Sequence, residues 1–116
     1  MASIAAVKLN DRIKNDTFSS VQFEYNEGGL PLDITGSTIK IQFRHKSNRG
    51  DILYTAETGS GITITNATGG VFRLDEFTPT DWKVGVAHFD VQMTFADGSI
   101  RTWIKGTVNI LQDTTL

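Results

Sequence analysis

Phe89-Asp90-Val91-Gln92-Met93-Thr94-Phe95 and Ile100-Arg101-Thr102-Trp103-Ile104-Lys105-Gly106 flank Asp97-Gly98, and together they read as one β-hairpin. An Asp-Gly pair favours the two-residue type I′ turn, whose twist matches that of paired strands. That turn predicts Ala96 opposite Ser99 and Phe95 opposite Ile100. Counting outward, Met93 faces Thr102, Val91 faces Ile104, Phe89 faces Gly106 and Ala87 faces Val108, all on one mostly apolar side. On the other side Thr94 meets Arg101, Gln92 meets Trp103, Asp90 meets Lys105 and His88 meets Thr107. An apolar face backed by a polar one is the pattern of a sheet with one buried side.

The same period of two recurs on either side of the hairpin, with Gly, Asn and Asp between the runs. A first strand is predicted near 4–9, and a second over Thr17–Tyr25 carries Val21, Phe23 and Tyr25 on one face. Glu27-Gly28-Gly29-Leu30-Pro31 ends it. The strand near Thr38–Arg44 alternates Ile39, Ile41 and Phe43 with Thr38, Lys40, Gln42 and Arg44. Further runs follow at 52–57, 62–64 and 71–74, separated by turn residues. Short, regularly spaced strands are the signature of an all-β sandwich or barrel. Thr78-Pro79-Thr80-Asp81-Trp82 is the one helical signal, with Thr78 as N-cap, Pro79 at the first helical position and Asp81 at the positive helix end. A single turn crossing between sheets is expected there, with Trp82 plugging the bottom of the core.

At 116 residues the chain fits one domain, in which residues 1–16 form an N-terminal arm or first strand and residues 17–116 the β-sandwich. Eleven basic against thirteen acidic residues leave a formal charge of −2. That balance supplies neither a basic footprint for nucleic acid nor a polybasic patch for a membrane surface. No apolar run approaches the roughly 20 residues of a membrane-spanning helix. The opening Met1-Ala2-Ser3-Ile4-Ala5-Ala6-Val7-Lys8 lacks a basic start and a sustained apolar core, so no signal peptide is expected. Without cysteine the fold uses no disulfide and no thiolate metal site.

The residues that could carry chemistry each have a plainer reading. Asp90 stands opposite Lys105, where a cross-strand ion pair accounts for it. His45 and His88 have no carboxylates at ligand spacing, which argues against a metal site or a Ser-His-Asp arrangement. Gly59-Ser60-Gly61 opens like a phosphate loop but leads into the strand-like Ile62-Thr63-Ile64-Thr65. Arg49-Gly50-Asp51 spells an adhesion tripeptide on what reads as a hairpin turn. Asn15-Asp16-Thr17 and Asn66-Ala67-Thr68 are sequons in turn-like sequence without an export signal. No catalytic, cofactor-binding or metal-binding residues are assigned, and no enzyme activity or cofactor is expected.

Trp103 is the aromatic that the register turns toward the polar face, beside Gln92 and Arg101. Either it contacts a partner or a loop of the same chain covers it. Ile4 and Val7 of the N-terminal arm complete the candidate contact residues, the arm being the segment suited to reach a neighbour.

Leu32-Asp33-Ile34-Thr35-Gly36-Ser37-Thr38-Ile39-Lys40-Ile41-Gln42-Phe43-Arg44 resembles the immunoglobulin-like N-terminal domain of upper baseplate proteins of tailed bacteriophages, and related small phage tail proteins. The likeness continues in order through Gly61–Ile64, the Gly-rich turn into Val71-Phe72-Arg73-Leu74, the crossing from Thr78 to Trp82, Phe89-Asp90-Val91-Gln92, Asp97-Gly98 and Gly106-Thr107-Val108. It spans about residues 16–110. The family's tyrosine near the start of the strand before the hairpin is replaced by Ala87-His88-Phe89, so the tyrosine-corner hydrogen bond is not carried over.

The resemblance implies an immunoglobulin-like antiparallel β-sandwich of about seven strands with one short helical turn. It implies a virion protein of the tail or baseplate region, made in the bacterial cytoplasm and acting by protein–protein assembly with copies of itself and other tail or baseplate proteins. Because the chain ends at Leu116 without a helical or fibre extension, a hub, adaptor or neck role is expected rather than a host-recognition tip. Head decoration or a head–tail connector is the related alternative. A carbohydrate-binding module, with Trp103, Arg101 and Gln92 as a shallow sugar platform, is the alternative of another class.

Overall fold

The computed structural model describes residues 5–14, 16–47, 49–79 and 82–112. Its strands are β1 (Ala5–Lys8), β2 (Arg12–Ile13), β3 (Val21–Glu24), β4 (Asn26–Glu27), β5 (Leu30–Pro31), β6 (Thr38–His45), β7 (Ile52–Thr58), β8 (Gly61–Asn66), β9 (Val71–Leu74), β10 (Gly85–Thr94) and β11 (Ile100–Leu111). The fold is all-β and β-sandwich-like, and no helix occurs among the described residues. Three of the eleven, β2, β4 and β5, are two-residue ladders too short to show as alternation in sequence, which leaves eight longer strands where about seven were expected.

One hydrogen-bonded sheet runs β1-β11-β10-β6-β7-β8-β9-β3, with β2 also on β11, while β4 and β5 pair separately. Most pairs are antiparallel, but β1 and β2 run parallel to β11, and β7 runs parallel to β8. The β7–β8 pairing spans only Glu57–Gly61 and Thr58–Ile62. Parallel strands ordinarily need a long crossover; here two residues suffice because the contact is a corner, not an extended ladder. Gly59 and Gly61 supply it at φ 85° and 101°, values open to glycine at little cost. Past that corner the sheet continues through β8, β9 and β3, which face its remainder.

The core lies between these two halves. Phe18, joined to Phe77 by an isolated bridge, meets Phe43 of β6 edge-on at 5.7 Å, and Phe72 of β9 lies 5.8 Å from Trp103 of β11. Ile39, Ile41, Phe43, Phe89, Val91 and Met93 supply one wall, and Ile62, Phe72 and Leu74 the other. Burial of each such side chain contributes about 1.5–3 kcal/mol. Trp82 is buried as expected, between Phe18, Phe43 and Phe77 at 5.8, 5.2 and 5.7 Å. Thr80 and Asp81 lie outside the described residues, and the expected helical turn with them. The Thr78 hydroxyl is engaged with that of Thr17 at 3.0 Å.

The β10–β11 hairpin differs from the predicted one twice, and the differences cancel. Phe95 N–H donates to Ser99 O, and Gly98 N–H to Phe95 O, so the loop holds three residues rather than two. A type I′ turn requires positive φ at both central residues, and Asp97 does not adopt it; only Gly98 does, at 89°. Asp97 Oδ1 accepts instead from the N–H and the hydroxyl of Ser99. The register near the loop is therefore displaced by one, giving Thr94–Ile100, Met93–Arg101 and Gln92–Thr102. A bulge then inserts Trp103 between Thr102 and Ile104, and from Val91–Ile104 onward the pairs are those predicted, through Asp90–Lys105 and Phe89–Gly106 to Ala87–Val108.

Candidate interaction surface

Alternation along β6 and β10 separates core from surface. Ala87, Phe89, Val91 and Met93 of β10 are buried, and the intervening His88, Asp90, Gln92 and Thr94 turn outward, half-buried. β6 lies alongside with Arg44 opposite His88, Gln42 opposite Asp90, Lys40 opposite Gln92 and Thr38 opposite Thr94. The outer face of β6, β10 and β11 is thus a polar strip. Near its middle, Gln42, Arg44, His88, Asp90 and Lys105 surround a depression of about 160 Å³.

Hydrogen bonds fix the cationic side of that depression. Arg44 donates to Gly50 O and to Gln42 Oε1, both at 2.9 Å, and Gln42 Nε2 donates to Thr55 Oγ1 at 3.2 Å. Asp90 and Lys105 stand opposite one another as predicted, but no ion pair joins them; the ion pair among the described residues is Arg73–Asp75 at 2.9 Å on the other half of the sheet. An aspartate and a lysine on a solvent-accessible strip gain little by being held together, so each remains available. Cations and carboxylate are spaced along strands rather than converging on a point. Such an arrangement suits recognition of a polar surface.

Charges elsewhere are locally satisfied. Side-chain and backbone hydrogen bonds from Thr35 lower the pKa of Asp33, and those of Ser99 do the same for Asp97. Arg73 and Thr63 lower that of Asp75, while burial and the charge of Asp75 raise that of the Tyr54 phenol. Burial depresses that of Arg12, whose guanidinium lies 4.2 Å from the Phe18 ring centre. Among the described residues no group of three His, Asp or Glu could hold a metal. His45 Nε2 lies 3.4 Å from Val84 O, and His88 is on the outer strip.

The proposed contact residues do not form one platform. Trp103, expected to face outward, is 7% exposed and stacks on Tyr25 at 4.4 Å. The bulge is the cause: as the extra residue it turns inward with Ile104, and two consecutive side chains enter the core. Arg101 stands opposite Met93 at the hairpin end, its guanidinium 5.9 Å from the Phe95 ring centre. Gln92 alone stays on the outer strip, beside Lys40 and Glu57. A sugar platform built on Trp103 with Arg101 and Gln92 is therefore absent from the surface. Ile4 lies outside the described residues, and Val7 is placed by its backbone, paired with Gly106. The segment read as an arm contributes β1 and β2, both laid along β11 of its own chain.

The remaining motifs are turn chemistry. A Cβ on Gly50 would fall 1.9 Å from His45 O, so the middle of Arg49-Gly50-Asp51 is glycine for lack of space. Asn66 Oδ1 accepts from Thr68 Oγ1 and Gly69 N–H, which gives that sequon a structural role. Asn15 lies outside the described residues.

Sequence reasoning missed an apolar breach in the outer strip. Ile13, Val84, Val86 and Leu111 are all exposed. The signal was in the register: counting outward positions back from His88 reaches Val86 and Val84, and forward from Asn109 reaches Leu111. No family model and no curated protein matches the chain.

Proposed function

We propose that this chain is a structural module of a bacteriophage virion, of the tail or baseplate region and immunoglobulin-like in plan, that works by binding neighbouring proteins. The observation that carries the reading is the breach of polar alternation at Val84, Val86 and Leu111, joined by Ile13. Outward positions of a one-sided sheet are polar unless something covers them, and a protein partner is the covering that an assembly module requires. The resemblance of the ordered sequence motifs to baseplate domains supports the same reading, as does the β-sandwich-like fold with its first strand laid parallel along its last.

Mass spectrometry of purified virions of the source phage tests this. The chain is expected in the particle at a stoichiometry fixed relative to tail proteins, and its absence overturns the proposal. Gold labelling in electron micrographs then separates tail from head, the head position being the alternative of decoration or connector protein.

A further inference from the structure

β10 and β11 carry a different surface at each of their ends. Gly85–Ile110 marks one end of the ladder and Thr94–Ile100 the other, and at about 3.4 Å per residue they are roughly 30 Å apart. At the first end Leu111 pairs with Ile13, and Val84 and Val86 occupy the outward positions of the neighbouring segment. Val84 and Leu111 are 44% and 41% exposed.

Lysines rim this apolar end. Lys14 follows Ile13 and donates its N–H to Leu111 O, Lys46 donates its N–H to Val86 O, and Lys83 precedes Val84. Asp11 and Asp16 are the carboxylates of the same segment, and Asp11 accepts from Asn109 at 3.2 Å.

The opposite end is apolar and acidic. Ile100, in the last pair of the ladder, is 64% exposed, and Leu30, 70% exposed, lies two residues before Leu32, which lines the depression at this end. A depression of about 430 Å³ there is walled by Asp33 and Asp97. Hydrogen bonds from Thr35 and Ser99 hold both carboxylates in place and ionised. Arg101, the cation lining the depression, leans over Phe95.

We propose that copies of this chain join head to tail, the apolar, lysine-rimmed end of one copy seating against Leu30, Ile100, Asp33 and Asp97 of the next. The inference rests on the reading of the chain as an assembly module and names its contact surfaces. A twofold contact of the lysine-rimmed end with itself would set Lys14, Lys46 and Lys83 against their own copies. The head-to-tail contact sets apolar on apolar and unlike charges together. It leaves one unpaired surface at each terminus of the assembly, the two complementary to one another, so growth continues until a ring closes or a filament forms.

Light scattering and sedimentation of the full chain test the arrangement. The mass is expected to rise beyond two copies with concentration and to fall as salt screens the rim. The double variants Val84→Gln with Leu111→Gln, and Leu30→Gln with Ile100→Gln, change exposed positions only and should unfold close to the parent's midpoint. Each variant alone is expected to be monomeric, while an equal mixture forms heterodimers and nothing larger, since one intact end of each kind remains. A chain that stays monomeric at every concentration overturns the inference without touching the virion proposal, which falls only if the protein is absent from particles. A dimer abolished by the first variant and indifferent to the second reveals a twofold contact and also overturns it. So does a mixture that stays monomeric or grows past two copies.

Discussion

Trp103 stacks on Tyr25 with ring centroids 4.4 Å apart and planes 24° from parallel, and the bulge in β11 is what delivers the indole there. Without the extra residue the strand would present that ring to solvent. Trp103→Ala is expected to lose about 3–5 kcal/mol, the cost of emptying an aromatic core site. Urea unfolding measures it; a loss below about 1 kcal/mol would mean the indole is not a core residue.

The Tyr25 hydroxyl is fully buried and has no hydrogen-bond partner among the described residues. A buried polar group left unpaired costs about 1–3 kcal/mol, so Tyr25→Phe is expected to leave stability unchanged or to raise it. The same unfolding experiment decides, and a fall of more than about 1 kcal/mol would show that the hydroxyl is satisfied, by a bound water for example.

Gly50→Ala places a methyl 1.9 Å from His45 O, and a backbone carbonyl cannot swing aside as a side-chain tip can. The turn must open, weakening the Arg44–Gly50 hydrogen bond. Overpacking of this kind typically costs about 1–3 kcal/mol. The expected readout is a lowered unfolding midpoint, with amide shift changes confined to residues 44–52 and their neighbours on β10.

Asp97 and Asp33 are held below the ordinary carboxylate range chiefly by the hydroxyls of Ser99 and Thr35, and then by the backbone N–H groups of the same residues. A folded-state pKa below the unfolded one stabilises the protein above the unfolded value, near 3.9 for Asp, and that stability is lost as pH falls through the folded value. Unfolding midpoints are expected to fall as pH drops below about 4, and Ser99→Ala with Thr35→Ala should flatten that slope. Carboxyl titration by NMR checks the direction, since both groups should titrate below an unperturbed Asp.

Much of the fold was legible in the sequence because alternation is a local signal. Ile39, Ile41 and Phe43 announced the inner face of β6, and β9 begins and ends at the residues expected of it. The bulge was not legible, because Thr102-Trp103-Ile104 alternates as well with an extra residue as without one; the decision lies with Tyr25, far away in sequence. The two-residue turn failed for a backbone reason, Asp97 keeping negative φ once Ser99 could satisfy its carboxylate. Of the contact residues, Gln92 sits on the outer strip, while the exposed valines at 84 and 86 required following the hairpin register past the point where the residues ceased to be polar.

The parallel ladder of β1 on β11 has a mechanical meaning. Tension applied ahead of Ala5 and beyond Leu111 drags the two strands in opposite directions along their shared axis, loading the pairs Ala5–Ile104, Ala6–Lys105, Val7–Gly106 and Lys8–Thr107 together. An antiparallel pair pulled in this way would peel open one bond at a time. The first strand therefore acts as a shear clasp, and the sandwich behind it is shielded from force until that clasp gives way.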